Sequence, residues 1–199
     1  LSQALRRVGM FGGAFDPPHR AHVALAQEAV RQLALDRLYV FPTGDAWHKD
    51  RTLSPAEHRL AMARLAFAGL PGVQVDDREL KRSGPTYSVD TLRELQGQHP
   101  GARLHLLIGE DQAAGFTRWH VWQEILQLAV LCVAARGPGT GVQAVQALPG
   151  ARVEVLRLPQ MPESASDIRA RLTAGQDAAG LVAPAVARYI DSHHLYRPA

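Results

Sequence analysis

The chain has 199 residues, 46% of them hydrophobic and 21% charged, with a formal charge of +3. That length and apolar content suit one compact α/β domain, residues 1–199, and exclude a disordered or fibrous chain. The small basic excess is scattered with no long basic run, so no nucleic-acid footprint is expected, and a small acidic substrate suits it better.

An apolar run from Val8 to Phe11 reads as a short buried strand, followed by Gly12-Gly13-Ala14-Phe15-Asp16-Pro17-Pro18-His19-Arg20-Ala21-His22. The glycines let the backbone turn and approach a ligand. The prolines fit a helix entrance, where missing N–H groups cost nothing. His19 and His22 then share one face of the first turn of a helix expected over His22–Leu33. A helix N-terminus with orphan amides and two imidazoles is a phosphate site with catalytic potential. Neither a dinucleotide fingerprint nor a P-loop motif is present.

Further strands are expected at Leu38–Phe41, Val73–Val75, Leu104–Ile108, Val130–Ala134 and Val153–Leu158. Helices are expected at Pro55–Ala68, Ser88–Gln96, Trp119–Leu128 and near Val142–Ala147. The alternation implies right-handed crossovers and a Rossmann-like, doubly wound parallel sheet with helices on both faces. Ligands of such sheets sit beyond the carboxyl ends of the strands. The polar loop after the second strand carries Trp47, His48 and Lys49, and His48 and Lys49 would reach a second phosphate if the loop faces the cleft. Ser54 with Glu57 reads as a capping box, and Ser88 as a helix cap. Thr86 and Tyr87 precede that helix and are candidate pocket residues.

Gly109 and Asp111 follow the fourth strand, where an acid can bond ribose hydroxyls. Trp119 is the better stacking candidate for a flat ring, with Trp122 and Ile125 assigned to the core. Cys132 lies in an apolar run and reads as an inert core thiol; a single cysteine builds no disulfide framework, which favours a reducing cytoplasm. Nothing has signal or transmembrane length, so no membrane partner is expected. Arg136 stands at the next strand's exit, open equally to a surface and a site role.

Ser164-Ala165-Ser166-Asp167-Ile168-Arg169 opens another helix, and hydroxyls with an arginine there make a second anion site. From residue 164 onward the chain reads as a helical extension packed on the domain. Pro184 opens its last helix, with Val186, Tyr189, Ile190 and Leu195 on one stripe.

The ordered set Gly-Gly-x-Phe-Asp-Pro-x-His-x-x-His with Ser-x-Ser-x-Ile-Arg closely resembles the nucleotidyltransferase superfamily. Ala14 and Ala21 depart from its usual residues, and Glu163 stands where an apolar residue is usual. Thr-Tyr-Ser-x-Asp-Thr-Leu, Ile-Gly-x-Asp, Phe-x-x-Trp and the His-Lys loop resemble, more narrowly, the bacterial nicotinate-nucleotide adenylyltransferases over nearly the whole chain. The resemblance implies transfer of an adenylyl group from ATP, as its Mg²⁺ complex, to nicotinate mononucleotide. It implies His19, His22 and Arg169 as catalytic residues. ATP would be held by Gly12, Gly13, Phe15, Gly109, Asp111, Ser164, Ser166 and Ile168. The mononucleotide would be held by His48, Lys49, Thr86, Tyr87, Trp119 and Arg136, with amides near Thr86 and His120 on its carboxylate; no protein metal site is implied. The alternatives are a sister enzyme acting on nicotinamide mononucleotide or phosphopantetheine, and a nucleotide-sensing module without turnover. Sequence leaves the oligomeric state unknown.

Overall fold

The computed structural model describes residues 4–44, 53–135, 140–158, 161 and 164–197. Its strands are β1 (Arg7–Gly13), β2 (Arg37–Pro42), β3 (Val73–Val75), β4 (Arg103–Gly109), β5 (Ala129–Ala135) and β6 (Val153–Arg157). All pair in parallel, in the order β3-β2-β1-β4-β5-β6. Every expected strand is present within two residues of its anticipated ends.

The helices are α1 (Arg20–Gln32), α2 (Ala56–Ala66), α3 (Ser88–Gln98), α4 (Glu110–Ala114), α5 (Trp122–Leu128), α6 (Thr140–Gln146), α7 (Ala165–Thr173) and α8 (Pro184–Ser192). The strands alternate in which face they bury, as a period of two requires. Leu104, Leu106 and Ile108 of β4 join a core with Leu92 and Leu95 of α3, Ala113 of α4, Ile125 of α5 and Val145 of α6. Leu107 turns to the opposite core, shared with Leu25 of α1, Met62 of α2, Ile168 of α7, and Val186 and Ile190 of α8. The fold is therefore the expected doubly wound one, and α7 and α8 cover the same face as α1 and α2. Cys132 is buried in that second core, and burial pushes its thiol pKa up, which keeps it inert.

Strand order reverses direction between β1 and β4, so their carboxyl ends diverge and leave a crevice. The connection from β3 to β4 carries the chain from one face of the sheet to the other.

Several helix starts differ from the sequence reading. The first helix opens at Arg20, with His19 as its cap residue, because His19 is extended (φ −134°, ψ 175°). Ser54 does not cap α2: Pro55 precedes the helix and no side chain caps it. The main chain of Ser54 is used elsewhere, its N–H donating to Asp16 Oδ2 at 3.2 Å and its carbonyl accepting from Arg59 Nε at 2.9 Å. Ser88 is a helical residue and not a cap, since the extended residue before α3 is Tyr87. Trp119 lies outside α5: it is extended, and Val121 has a left-handed φ of 43°, which an α-helix cannot pass through. Trp122 is half-buried against the core that holds Ile125. Leu195 lies beyond α8 but packs in the same cluster as Val186 and Ile190.

Candidate active site

The site begins where β1 runs out. A Cβ on Gly13 would stand 3.0 Å from the Phe15 ring, so glycine is required for that ring to fold back over the turn. Phe15 itself has φ 48°, an unusual conformation for a bulky residue. It is held there by burial, its ring edge-on to Phe11, Phe67 and His22 at centroid distances of 5.4, 5.5 and 5.1 Å. The Phe15 side chain, 1% exposed, is thus a buttress against His22.

The Asp16–Pro17 peptide is cis and delivers the chain to His19. His19 N–H donates to His22 Nδ1 at 3.2 Å, and the two rings lie 3.8 Å apart. An Nδ1 that accepts leaves the proton of the neutral ring on Nε2, so this main-chain contact sets the tautomer of His22 as an Nε2 donor. The helix terminus has fewer open amides than the sequence suggests. Arg20 N–H is bound to Leu181 O at 3.0 Å and His22 N–H to His19 O at 3.0 Å. What this end can still offer an anion is the imidazoles and the helix dipole.

The second motif meets the first. Arg169 Nη1 donates to the carbonyl of Asp16 at 2.8 Å, across 153 residues of chain, while its Nη2 donates to Ser166 Oγ at 3.0 Å. The Asp16 carboxylate accepts from Tyr196 Oη at 2.7 Å, so the chain's last described turn is tied to the same residue. Burial, reinforced by that hydrogen bond, raises the Tyr196 phenol pKa and keeps it protonated. Ser164 caps α7: its hydroxyl accepts from Asp167 N–H at 3.1 Å and donates to Asp167 Oδ2 at 2.6 Å. Ile168 is fully buried and its N–H is bound to Ser164 O, so its side chain anchors α7 in the core.

Past the glycine turn, a cavity of about 580 Å³ opens at the β1–β4 switch, and neither His19 nor His22 lines it. Gly12, Gly13, Thr86, Tyr87, Asp111 and Trp119 line it, together with Glu79, Arg118 and His120. Tyr87 and His120 face each other with ring centroids 4.2 Å apart, and Trp119 rests 5.5 Å from Phe116. The Thr86 hydroxyl is buried and has no hydrogen-bond partner among the described residues. Gly109 precedes α4 as its cap residue, its N–H held by Gln112 Oε1 at 2.9 Å, and it does not line the cavity. His48, Lys49 and Arg136 lie outside the described residues, as do Trp47 and Glu163.

Sequence reasoning passed over two buried charged residues. Arg59 is 3% exposed and binds the carbonyls of Ala14 and Thr43 at 3.1 and 2.8 Å, clamping the glycine turn to the exit of β2. Its one signal was an arginine on the inward stripe of a helix. Glu79, also 3% exposed, accepts from Thr91 Oγ1 at 2.7 Å. It carried no sequence signal, being one charged residue in the run Asp76-Asp77-Arg78-Glu79-Leu80-Lys81-Arg82.

The family model described as Cytidylyltransferase-like matches residues 10–171, which spans both motifs. A relative from Albidiferax ferrireducens, named "Probable nicotinate-nucleotide adenylyltransferase", is 56% identical over 98% of this chain and 100% of its own length. One of the same name from Methylibium petroleiphilum is 44% identical over 97% of this chain and 93% of its own. Among solved structures, Plasmodium falciparum nicotinic acid mononucleotide adenylyltransferase complexed with NaAD shares the fold. Its TM-score is 0.79 at 18% identity, covering 96% of this chain and 97% of the other. With two converging motifs, a cavity at the strand switch and relatives of this similarity, the chain belongs to the nicotinate-nucleotide adenylyltransferase family.

Proposed function

We propose that this chain, working as one nucleotidyltransferase unit over residues 1–199, transfers the adenylyl group of ATP to nicotinate mononucleotide, giving deamido-NAD and pyrophosphate. The observation that carries the reading is the hydrogen bond from Arg169 to the carbonyl of Asp16, which joins two anion-binding segments from opposite ends of the sequence. The mononucleotide phosphate is already a competent nucleophile, so the protein needs neither a general base nor a covalent intermediate. Its work is alignment and stabilisation of charge on the α-phosphate and the departing pyrophosphate.

In this reading His22 donates from Nε2, with His19 beside it, while Arg169 and Ser166 face the phosphates of ATP. Asp111 serves the ribose. The cavity takes the mononucleotide, its pyridine ring against Trp119 and its carboxylate near Thr86 and Tyr87. His48, Lys49 and Arg136 are assigned to the mononucleotide on sequence grounds alone. Among the described residues no three His, Cys, Asp or Glu side chains converge as a metal cage. Mg²⁺ would come with the ATP substrate, through phosphate and water ligands.

The test is pyrophosphate release with MgATP, offering nicotinate mononucleotide, nicotinamide mononucleotide and phosphopantetheine in parallel. Release that depends on the acid mononucleotide supports the proposal. Preference for either other acceptor assigns the chain to a sister activity, and ATP binding without release under all three makes it a sensing module.

A further inference from the structure

We propose that Glu79 is a specificity-determining residue that admits the carboxylate of the acid mononucleotide only while its own carboxyl group carries a proton. The inference rests on the mononucleotide site assigned above and adds a proton to its binding step. Glu79 is almost fully buried, and it lines the same cavity as Thr86, Tyr87, Trp119 and His120. The main chain of Glu79 sits with Thr86, since a Cβ on Gly44 would lie 2.4 Å from the Glu79 carbonyl oxygen and 2.7 Å from Thr86 Oγ1, while the Glu79 carboxyl reaches Thr91. The Thr86 hydroxyl is buried in this wall with no partner among the described residues, ready for a ligand oxygen.

Among the described residues no cation contacts the Glu79 carboxyl directly. Arg82 Nη1 donates to Thr91 Oγ1 at 2.8 Å, and Thr91 donates in turn to Glu79 Oε1, so the guanidinium acts one hydroxyl away. The other end of Arg82 is committed to Glu94 at 2.7 Å. Two further acids face this region, Glu94 from α3 and Asp76 from beyond β3, although Arg78 pairs with both. From the cavity side come Asp111, Arg118 and His120. Burial pushes the Glu79 carboxyl up to about 7, opposed by Thr91 and Arg82 and reinforced by Glu94 and Asp76. A second carboxylate brought into this cavity adds like charge in a low dielectric, and the pair is then stable only if one member is protonated. Because the entering carboxylate is intrinsically the stronger acid, the proton belongs on Glu79. An amide ligand makes no such demand.

The experiment measures KM for nicotinate and nicotinamide mononucleotides from pH 6 to 8.5, in the wild type, Glu79→Gln and Thr91→Val. The phosphate of both ligands titrates near 6, so the difference between acid and amide isolates the effect of Glu79. In the wild type, KM for the acid relative to the amide rises about tenfold per pH unit above the Glu79 pKa, the slope for one linked proton. Glu79→Gln flattens that relative slope. Thr91→Val removes a hydrogen bond that favours the ionised carboxylate, so the rise begins at higher pH, and this variant carries the test if Glu79→Gln does not fold. Calorimetric titration with the acid at pH 8, in two buffers of different ionisation enthalpy, shows uptake of a proton in the wild type and none in Glu79→Gln. An acid-specific slope that survives in Glu79→Gln, or no acid-specific slope and no proton uptake in the wild type, overturns the proposal. No pyrophosphate release with either mononucleotide refutes the transfer reading instead, and the calorimetric result still decides the role of Glu79.

Discussion

His22 has two separable duties, and replacing it with alanine or asparagine tells them apart. Its Nδ1 accepts the His19 main-chain N–H at 3.2 Å, closing the first turn of α1. Its Nε2–H is the donor assigned to the transferring phosphate. Alanine removes both. Losing the cap costs about 1 kcal/mol, which lowers the thermal midpoint of a domain this size by about 2–4 °C. Losing one preorganised donor to developing negative charge costs about 10²–10³ in turnover, or about 3–4 kcal/mol of transition-state stabilisation. Asparagine keeps an acceptor near the position of Nδ1 but falls short of Nε2. His22→Asn is therefore expected to recover most of the melting temperature while leaving turnover as low as in His22→Ala. Differential scanning fluorimetry and a coupled pyrophosphate assay at saturating ATP give both readouts. Wild-type turnover in His22→Asn would refute the assignment of Nε2 and leave His22 a capping residue only.

Two other substitutions probe the frame around the site. Tyr196→Phe deprives the buried Asp16 carboxylate of its 2.7 Å donor, at a cost of about 2 kcal/mol, and lowers the thermal midpoint by about 4–8 °C. His105 is fully buried beneath the sheet, its ring within 3.1 Å of Arg103 O, and burial holds its pKa below the ordinary histidine range despite Glu154 at 3.9 Å. The unfolded chain takes up that proton first, so the neutral ring's stability is complete above the ordinary histidine pKa and is lost as pH falls through it toward the lowered value. The slope it adds is at most about 1.4 kcal/mol per pH unit, the limit for one proton. His105→Gln should flatten the acid limb of denaturant-unfolding stability measured between pH 7 and pH 5, and an unchanged limb would remove His105 from the account.

The sheet was legible because parallel strands buried on both faces read as short apolar runs, and six such runs stand between amphipathic stretches. The helix starts were less so. Ser54 and Ser88 have the right composition for caps, but composition cannot show that Ser54 is already held between Asp16 and Arg59, or that Tyr87 is the last extended residue. The left-handed turn at Val121, which frees Trp119 from α5 and sets it at the cavity, carries no sequence signal, since valine is among the least suited residues for that conformation. At the site, the histidine pair and the Ser-x-Ser-x-Ile-Arg segment could be read as motifs. Arg59 and Glu79 could not, because a charged residue looks solvated until a structure shows it buried.

That difference bears on how the phosphates are held. From sequence, both motif helices offered orphan amides as the anion-binding element. In the fold, α1 has its Arg20 amide on Leu181 O, and α7 has its Asp167 amide on the Ser164 hydroxyl. Those two donors are already satisfied, so under the proposed transfer the polyanion is met by the side chains above them, the imidazoles of His19 and His22 and the guanidinium of Arg169. Arg169 in turn is aimed by the carbonyl of Asp16, the residue whose carboxylate Tyr196 and Ser54 hold. The groups proposed as catalytic are consequently ordered by tertiary contacts spanning 180 residues of chain as well as by the local end of α1, and damage at Tyr196 is expected to reach Arg169 through Asp16.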